Sequence, residues 1–510
     1  MKKNPKILVL ISLLFTGLFS ATTYWVGIKH NKMLSPVNSN KWSNIDVVLE
    51  HLANNYVDSL EIGKLTESSI NHILKKLDPH SSFIPASQRQ RLNESLVGHF
   101  GGIGIRFMIY NDTLTVVDVI NGGPSEFGNI EKRDRIITID NENVAGVKLK
   151  NEDVLKKLKG VVGSTVKLSV LKPNKTIEIK NITRGLIPLK SVPAYTMLKS
   201  EIGYIKISSF SNNTDIEFKK ALNSLSEKGM KSLILDLRFN GGGYLHQAIN
   251  ISDEFLKNNK LIVYTEGAHS EKRTFFSSSK GLFESGKLIV LVNSSTASAS
   301  EIVSGAIQDN NRGLILGRRT FGKGLVQQPL LLPDSSELRI TTSRYYTPSG
   351  KCIQKPYGDS IDYDNDLFER IESGELTRID SGHSNKFKGG ILPNIYSPID
   401  TLTYNDQVNK IIYTRKWRDF CFNYYEKYPV SNFKNIKEFY FNFKVQNNEL
   451  KKYIKSINKD LDKFNNQTMN ELEWGLKIEL SSYYFTDQSR YIISTFKDND
   501  VKKALLELEK

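Results

Sequence analysis

The chain has 510 residues, enough for about three domains, with 39% hydrophobic and 25% charged residues, an ordinary globular balance outside its first segment. A net charge of +15 admits nucleic acid, anionic membrane or acidic partners. There is, however, no zinc-finger spacing, phosphate-binding Gly-Lys-Ser/Thr loop or arginine-rich block, so the excess reads as solvated faces, with membrane attraction second and no nucleic acid partner.

The chain opens Met1-Lys2-Lys3-Asn4-Pro5-Lys6 and continues with an uncharged run, Ile7 to Ile28, long enough to cross a bilayer. Tyr24 and Trp25 suit a membrane interface, and a cut after Ala21 would lack a clean small-x-small site. Residues 1–29 are therefore expected to be an uncleaved signal anchor in preference to a cleaved signal peptide. Positive charge ahead of the run puts everything after Lys29 outside the cytoplasm, in the cell envelope on the periplasmic side, or free in the periplasm if cleavage occurs.

Residues 30–87 read as an N-terminal helical segment, from the broken helical spacing of Val48, Leu49, Leu52, Leu60 and Leu65. It ends Leu77-Asp78-Pro79-His80-Ser81, where Asp78-Pro79 is a turn and helix stop. Residues 88–185 begin a different pattern. Phe100-Gly101-Gly102-Ile103-Gly104-Ile105 is followed by a strand at Thr115 to Ile120 and a turn into a short helix at Gly123-Pro124-Ser125. A strand at Arg135 to Asp140, a helix at Asn151 to Leu158 and closing strands at Val166 to Leu171 and Ile177 to Ile182 complete it. This order resembles a PDZ domain. The resemblance implies that Phe100, Gly101, Gly102, Ile103, Gly104 and Ile105 bind a peptide's terminal carboxylate through backbone N–H groups, and that the following strand accepts the peptide by β-addition. Arg133-Asp134 stands where such domains usually carry Gly-Asp, which puts the turn geometry in question.

Residues 186–400 alternate strands and helices, as an α/β core does. Ile202 to Ile207, Ser232 to Leu237 and Leu288 to Val292 read as strands, and Asp215 to Leu225 as an amphipathic helix. The second strand runs into Arg238-Phe239-Asn240-Gly241-Gly242-Gly243, and the third into Thr296-Ala297-Ser298-Ala299-Ser300-Glu301-Ile302. A serine at a helix start either caps the helix or acts as a nucleophile beside free backbone N–H groups. Further on, Lys323 lies in Thr320-Phe321-Gly322-Lys323-Gly324-Leu325-Val326-Gln327, where bare backbone permits close approach. A lysine serves as base only when neutral, which requires burial. If a strand runs from Lys323 onwards, Lys323 and Gln327 share a face.

These stretches closely resemble the carboxyl-terminal processing peptidases, or tail-specific proteases, and Leu77 to Ser81 matches another of their motifs. Thr296 replaces the first serine of the pattern and Asn394 its aspartate in Gly389-Gly390-Ile391-Leu392-Pro393-Asn394. The resemblance implies Ser298 as nucleophile, Lys323 as base, Gln327 as the residue that orients the lysine, and the N–H groups of Gly242 and Ala299 as the oxyanion hole. With lysine as base, His80 is expected to be structural, as is His246. The implied fold is a crotonase-like protease core with an inserted PDZ domain.

Residues 401–510 read as a C-terminal helical region rich in Lys, Asn, Phe and Tyr, with no chemistry of its own. Cys352 and Cys421 are too few for a disulfide framework and read as unpaired thiols, and no histidine pair has metal-ligand spacing. The reading is a serine endopeptidase that takes protein or peptide substrates with accessible C-termini and needs no metal or cofactor. A homo-oligomer stays open, and the membrane is met through the N-terminal segment. The rival readings are a PDZ binding scaffold on an inactive protease core and a crotonase-like enzyme acting on small acyl thioesters.

Overall fold

A computed structural model describes residues 43–358, 362–363, 365–376, 389–399, 406–428, 433–457 and 464–510. The expected anchor, residues 1–29, lies outside them. Among the described residues no helix is long and apolar enough to cross a membrane. The chain divides into two compact units, Met1–Ile73 and Leu74–Lys510. In the first, the expected helices are present as α1 (Ser43–Asn55) and α2 (Ile62–Lys75), the latter running two residues past the boundary.

The second unit opens with an element that the helical reading of residues 30–87 does not contain. At Asp78-Pro79 the carboxylate of Asp78 accepts the N–H groups of His80 and Ser81, each at 2.8 Å, and turns the chain into the short strand β1 (Ser82–Ile84). Helix α3 (Ala86–Val97) follows and stops at Gly98, whose φ of 83° is the left-handed conformation of a helix end.

The PDZ-like part runs β2 (His99–Gly102), β3 (Ile105–Tyr110), β4 (Thr113–Val119), α4 (Pro124–Phe127), β5 (Arg135–Ile139), β6 (Glu142–Asn143), α5 (Asn151–Leu158), β7 (Thr165–Leu171), β8 (Ile177–Thr183) and β9 (Gly185–Pro188). Its sheet has the order β3-β4-β5-β7-β8, with β6 on β5, while β2 pairs with β9. Alternate residues of β7, Val166, Leu168 and Val170, point into a core shared with Ile136, Ile139 and the α5 residues Val154 and Leu158. At the questioned turn, Arg133 takes a φ of 75°, which a glycine would take without strain, and Asp134 is buried and paired to Lys172 at 3.0 Å.

The protease-like part contains β10 (Ala194–Lys199), β11 (Ile202–Lys206), α6 (Thr214–Ser226), β12 (Ser232–Asp236), α7 (Leu245–Asp253), β13 (Leu261–Gly267), β14 (Ser270–Phe276), β15 (Lys287–Val292), α8 (Ala299–Asp309), β16 (Leu314–Gly317), β17 (Leu325–Leu331), β18 (Glu337–Tyr346), α9 (Asp366–Glu372) and β19 (Ile395–Tyr396). One sheet has the order β10-β11-β12-β15-β16-β19, parallel except at β10. Its central strands are apolar at every position because both faces are covered. Leu233, Leu235, Val290 and Val292 pack under α6, α7 and α8, while Ile234, Ile289 and Leu291 face the other way. A second, antiparallel sheet has the order β1-β18-β13-β14, with β17 also on β18.

The last region is helical as expected: α10 (Asp406–Ile412), α11 (Arg415–Lys427), α12 (Ile436–Asn442), α13 (Asn447–Ser456), α14 (Asn466–Tyr484), α15 (Gln488–Thr495) and α16 (Asn499–Glu509). Helix α16 covers the second face of the parallel sheet with Val501, Ala504 and Leu508. The helices before it share a core with Tyr110 and Val117 of the PDZ-like sheet. Both cysteines are free thiols.

Candidate active site

Strand β15 ends at Val292, and the chain makes two tight turns before α8. Thr296 holds the first: its hydroxyl donates to the Leu237 carbonyl at 2.9 Å and accepts the Asn293 N–H at 2.9 Å. Asn240 ties the parallel turn after β12 to the same place, since its carbonyl accepts the Ala297 N–H and the Ser300 hydroxyl, each at 3.0 Å. Between these fixed points Ser298 has φ 57° and ψ −118°, a conformation that costs energy in any non-glycine residue. Its carbonyl accepts the Glu301 N–H at 2.8 Å and the Ile302 N–H at 3.0 Å. Glu301 reaches back to the Ser298 N–H at 2.8 Å, so the serine also stands in the capping position of this helix.

Glu301 organises the site and was missed in the sequence. Its buried carboxylate accepts the backbone N–H of Ser298 at 2.8 Å, the Thr320 hydroxyl at 2.5 Å, and the N–H groups of Gly322 at 2.8 Å and Lys323 at 2.9 Å. Burial lifts this carboxyl to about 7 despite the pull of those donors. The spacing Ser298-x-x-Glu301 was the available signal, since a glutamate three residues after a helix-start serine reaches back to its N–H. Tyr345 adds a second link, its hydroxyl lying between the carbonyl oxygens of Ser298, at 3.1 Å, and Lys323.

The Lys323 side chain is half-buried and makes no hydrogen bond or ion pair among the described residues. Burial, and then the charge of Arg339, push its ammonium below the ordinary lysine value, while Asp78 and Glu301 act in the opposite sense. No hydrogen bond joins its Nζ to Ser298 Oγ. The Leu77 to Ser81 motif lies beside it: burial and the nearby Lys323 charge push His80 down to about 4, and its Nε2 shares a hydrogen bond with the Tyr363 hydroxyl at 2.9 Å. His80 is thus neutral near pH 7 and held by a partner.

Two expectations need correction. Lys323 precedes β17, and the β17–β18 ladder shifts register between Val326 and Gln327, so strand alternation does not set Lys323 and Gln327 on one face. Gln327 Nε2 instead donates to Thr341 Oγ1 at 3.3 Å. The Gly242 N–H is also engaged, by Asn240 Oδ1 at 2.9 Å, whereas the Ala299 N–H has no acceptor among the described residues. Gly242 nevertheless abuts the serine: at φ 102° an added Cβ would lie 2.7 Å from Ser298 Cβ.

In the PDZ-like part, Ile103 and Gly104 carry N–H groups with no acceptor among the described residues. Gly101 lets the loop close on α5, because a Cβ there would lie 2.1 Å from the Gly160 carbonyl oxygen. Gly102 is buried against the Phe100 ring, which lies under Lys159 Nζ at 4.2 Å from its centroid. Ile103 is part of the domain core, and Ile105, half-buried, packs on it.

Comparison with known proteins follows this division of the chain. The sequence profile of Peptidase family S41 matches residues 201–365, and that of the PDZ domain residues 101–182. The chain is 36% identical over 314 residues to the Carboxy-terminal-processing protease of Bartonella bacilliformis, across 60% of this chain and 71% of that one. It is 30% identical over 403 residues to the Probable CtpA-like serine protease of Staphylococcus haemolyticus, across 78% of this chain and 79% of that one. Identity to the Carboxyl-terminal-processing protease of Picosynechococcus sp. is 35% over 285 residues, across 54% and 67%. With this identity and coverage, the chain belongs to Peptidase family S41 and is a serine-type, carboxyl-terminal processing protease.

Proposed function

We propose that the protein is an endopeptidase that captures the C-terminal tails of protein substrates in its PDZ groove and cleaves them with Ser298 and Lys323. The observation that carries the assignment is the Glu301 carboxylate, which accepts the backbone N–H of Ser298 at 2.8 Å and that of Lys323 at 2.9 Å, fixing both residues to one anchor. Neutral Lys323 removes the Ser298 hydroxyl proton as Oγ bonds to the scissile carbonyl carbon. The Ala299 N–H donates to the oxyanion, joined by the Gly242 N–H once its peptide leaves Asn240. The Lys323 ammonium then protonates the leaving amine as the C–N bond breaks. Neutral again, it deprotonates the water that hydrolyses the ester.

The test follows cleavage of an unstructured protein with an apolar C-terminus, as the free acid and as the amide. Ser298→Ala, Lys323→Ala and Lys323→Arg should each lose turnover while staying folded, since a guanidinium does not give up its proton at working pH. Amidation should slow the intact enzyme by removing the charge that the PDZ loop binds. Turnover by Lys323→Arg would refute the base. The uncharged run Ile7 to Ile28 supports an exported protein held by an N-terminal anchor. Mass spectrometry should find Met1 or Lys2 on the mature chain, and a start near Thr22 would refute the anchor.

A further inference from the structure

Strand β3 is an edge of the PDZ-like sheet, so its outer side is open to a peptide. A tail whose carboxylate sits at Ile103 and Gly104 would run antiparallel to β3, each residue about 3.3 Å further from its C-terminus. That path does not stay open to the end of the strand. Arg415 of α11 donates to the carbonyl of Ile109 at 3.0 Å and takes the place a peptide N–H would need. A peptide must therefore leave the sheet near Met108.

At that point there is a cavity of about 440 Å³ between β3, the start of α5 and the C-terminal helices α11, α14 and α15. Six cationic side chains line it, Arg106, Lys148, Lys150, Arg415, Arg418 and Arg490, against the acidic Asp419 and Glu479. Several are partly neutralised: Arg490 pairs with Glu479 at 2.5 Å, Arg415 lies 4.0 Å from Asp419, and Arg106 pairs with Asp487. The side chains of Arg418 and Lys148 are exposed and make no hydrogen bond or ion pair among the described residues. Arg106 Nε is a buried donor without an acceptor, so the hydrogen-bonding capacity of the cavity wall is not used up within the chain.

We propose that this basic cavity is a second substrate subsite, which takes acidic side chains about four to six residues upstream of the C-terminus of a tail held on β3. The proposal rests on the PDZ domain being the tail-binding element. It gives the C-terminal region a role in choosing substrates. The carboxylate loop reads the end of the chain, and the arginines of α11 read what precedes it. Substrates with an apolar end and an acidic stretch before it would be preferred over those with the apolar end alone.

The test uses the full chain carrying Ser298→Ala and fluorescent peptides that share three apolar C-terminal residues. Two positions, about four to six residues from the end, hold Glu-Glu, Ser-Ser or Lys-Lys, and each peptide is made as acid and amide. The Glu-Glu acid should bind about five- to tenfold tighter than the Ser-Ser acid, as two partly screened charge pairs would give, and added salt should erode the difference. Arg418→Glu combined with Lys148→Glu should reverse the order of Glu-Glu and Lys-Lys while leaving Ser-Ser binding unchanged. Lys228→Glu, an exposed charge reversal on the protease part, should leave the order intact. Equal binding of the three acids, with amides bound more weakly, would overturn the subsite and keep the tail reading. Equal binding of acids and amides would remove the tail reading and the subsite with it. A preference altered as much by Lys228→Glu as by the cavity variant would reduce it to the overall positive charge and also overturn the subsite.

Discussion

At Glu301 stability and chemistry respond to pH in opposite directions. Its folded value of about 7 lies above the ordinary 4.5, so the folded state holds the proton more tightly. The stability this group contributes is therefore complete below pH 4.5 and is lost as pH rises to about 7. The proposed mechanism uses the ionised form, because only a carboxylate can accept from all three backbone N–H groups and the Thr320 hydroxyl at once. Lys323, lowered from its ordinary value, also gains the neutral form that the proposed mechanism uses as pH rises. Activity should thus climb through pH 7 while the Glu301 contribution to stability falls. His80 works in the reverse sense. Its folded value of about 4 lies below 6.5, so its contribution is complete above pH 6.5 and is lost as pH falls to about 4. The Glu301→Gln variant separates the two. Its amide presents N–H groups to donors, which should cost about 1–3 kcal/mol at pH 8, and the advantage of wild type over the variant should be larger at pH 5, where most of the Glu301 contribution is present. Urea unfolding of wild type and variant at pH 5 and pH 8 gives the difference directly. An identical difference at both pH values would mean that Glu301 does not titrate between them.

The elements that were legible from sequence are those whose pattern is local. Leu233-Ile234-Leu235 and Leu288 to Val292 are apolar without alternation, and each is a central parallel strand covered on both sides. The α5 boundaries and the start of α8 follow from their local pattern, and Ser298 and Lys323 stand out by their glycine-rich and small-residue surroundings. What escaped depends on distant partners. Strand β1 is extended because Ser82, Phe83 and Ile84 pair with Arg339, Leu338 and Glu337, far along the chain. The register shift that displaces Gln327 belongs to the β17–β18 pair, and no residue of β17 announces it alone. The Gly242 peptide points at Asn240 because that side chain is itself held by the Ile207 carbonyl at 3.0 Å. Strand β1 nevertheless bears on the site. Ser81 Oγ donates to Asp78 at 2.6 Å and accepts the Thr341 N–H at 3.1 Å, next to the hydroxyl that receives Gln327. Asp78→Ala should strand the His80 and Ser81 donors, cost about 1–3 kcal/mol, and lower kcat more than it raises KM. Circular dichroism would establish that the variant is folded, and an unchanged kcat would detach β1 from the site.

Across the whole of the second unit, the C-terminal helices join what the chain order separates. One end of the region packs on Tyr110 and Val117 of the PDZ-like sheet, and the other closes the parallel sheet of the protease-like part. The first residues of α16 carry a further connection. Asp500, buried, accepts from Arg318 at 2.9 Å, Arg238 at 3.0 Å and the Ser397 hydroxyl at 2.6 Å. Arg238 in turn pairs with Asp236 at 2.7 Å and Asp498 at 2.8 Å, and it begins the turn that carries Asn240 and Gly242 to Ser298. The last helix of the chain is therefore bound to the turn that carries Gly242 by charge as well as to the sheet by apolar contact. Asp500→Ala leaves two buried guanidinium groups short of a partner and should cost about 3–5 kcal/mol. Leu508→Ala, on the same helix but only in the apolar contact, should cost about 2–5 kcal/mol through the cavity it leaves. The two variants can thus be compared at similar stability, below the melting range of both. If the ion pairs position the turn, kcat falls in Asp500→Ala and stays near wild type in Leu508→Ala, with KM little changed in either. Equal kcat in the two folded variants would mean that α16 supports the protease part only by holding it together.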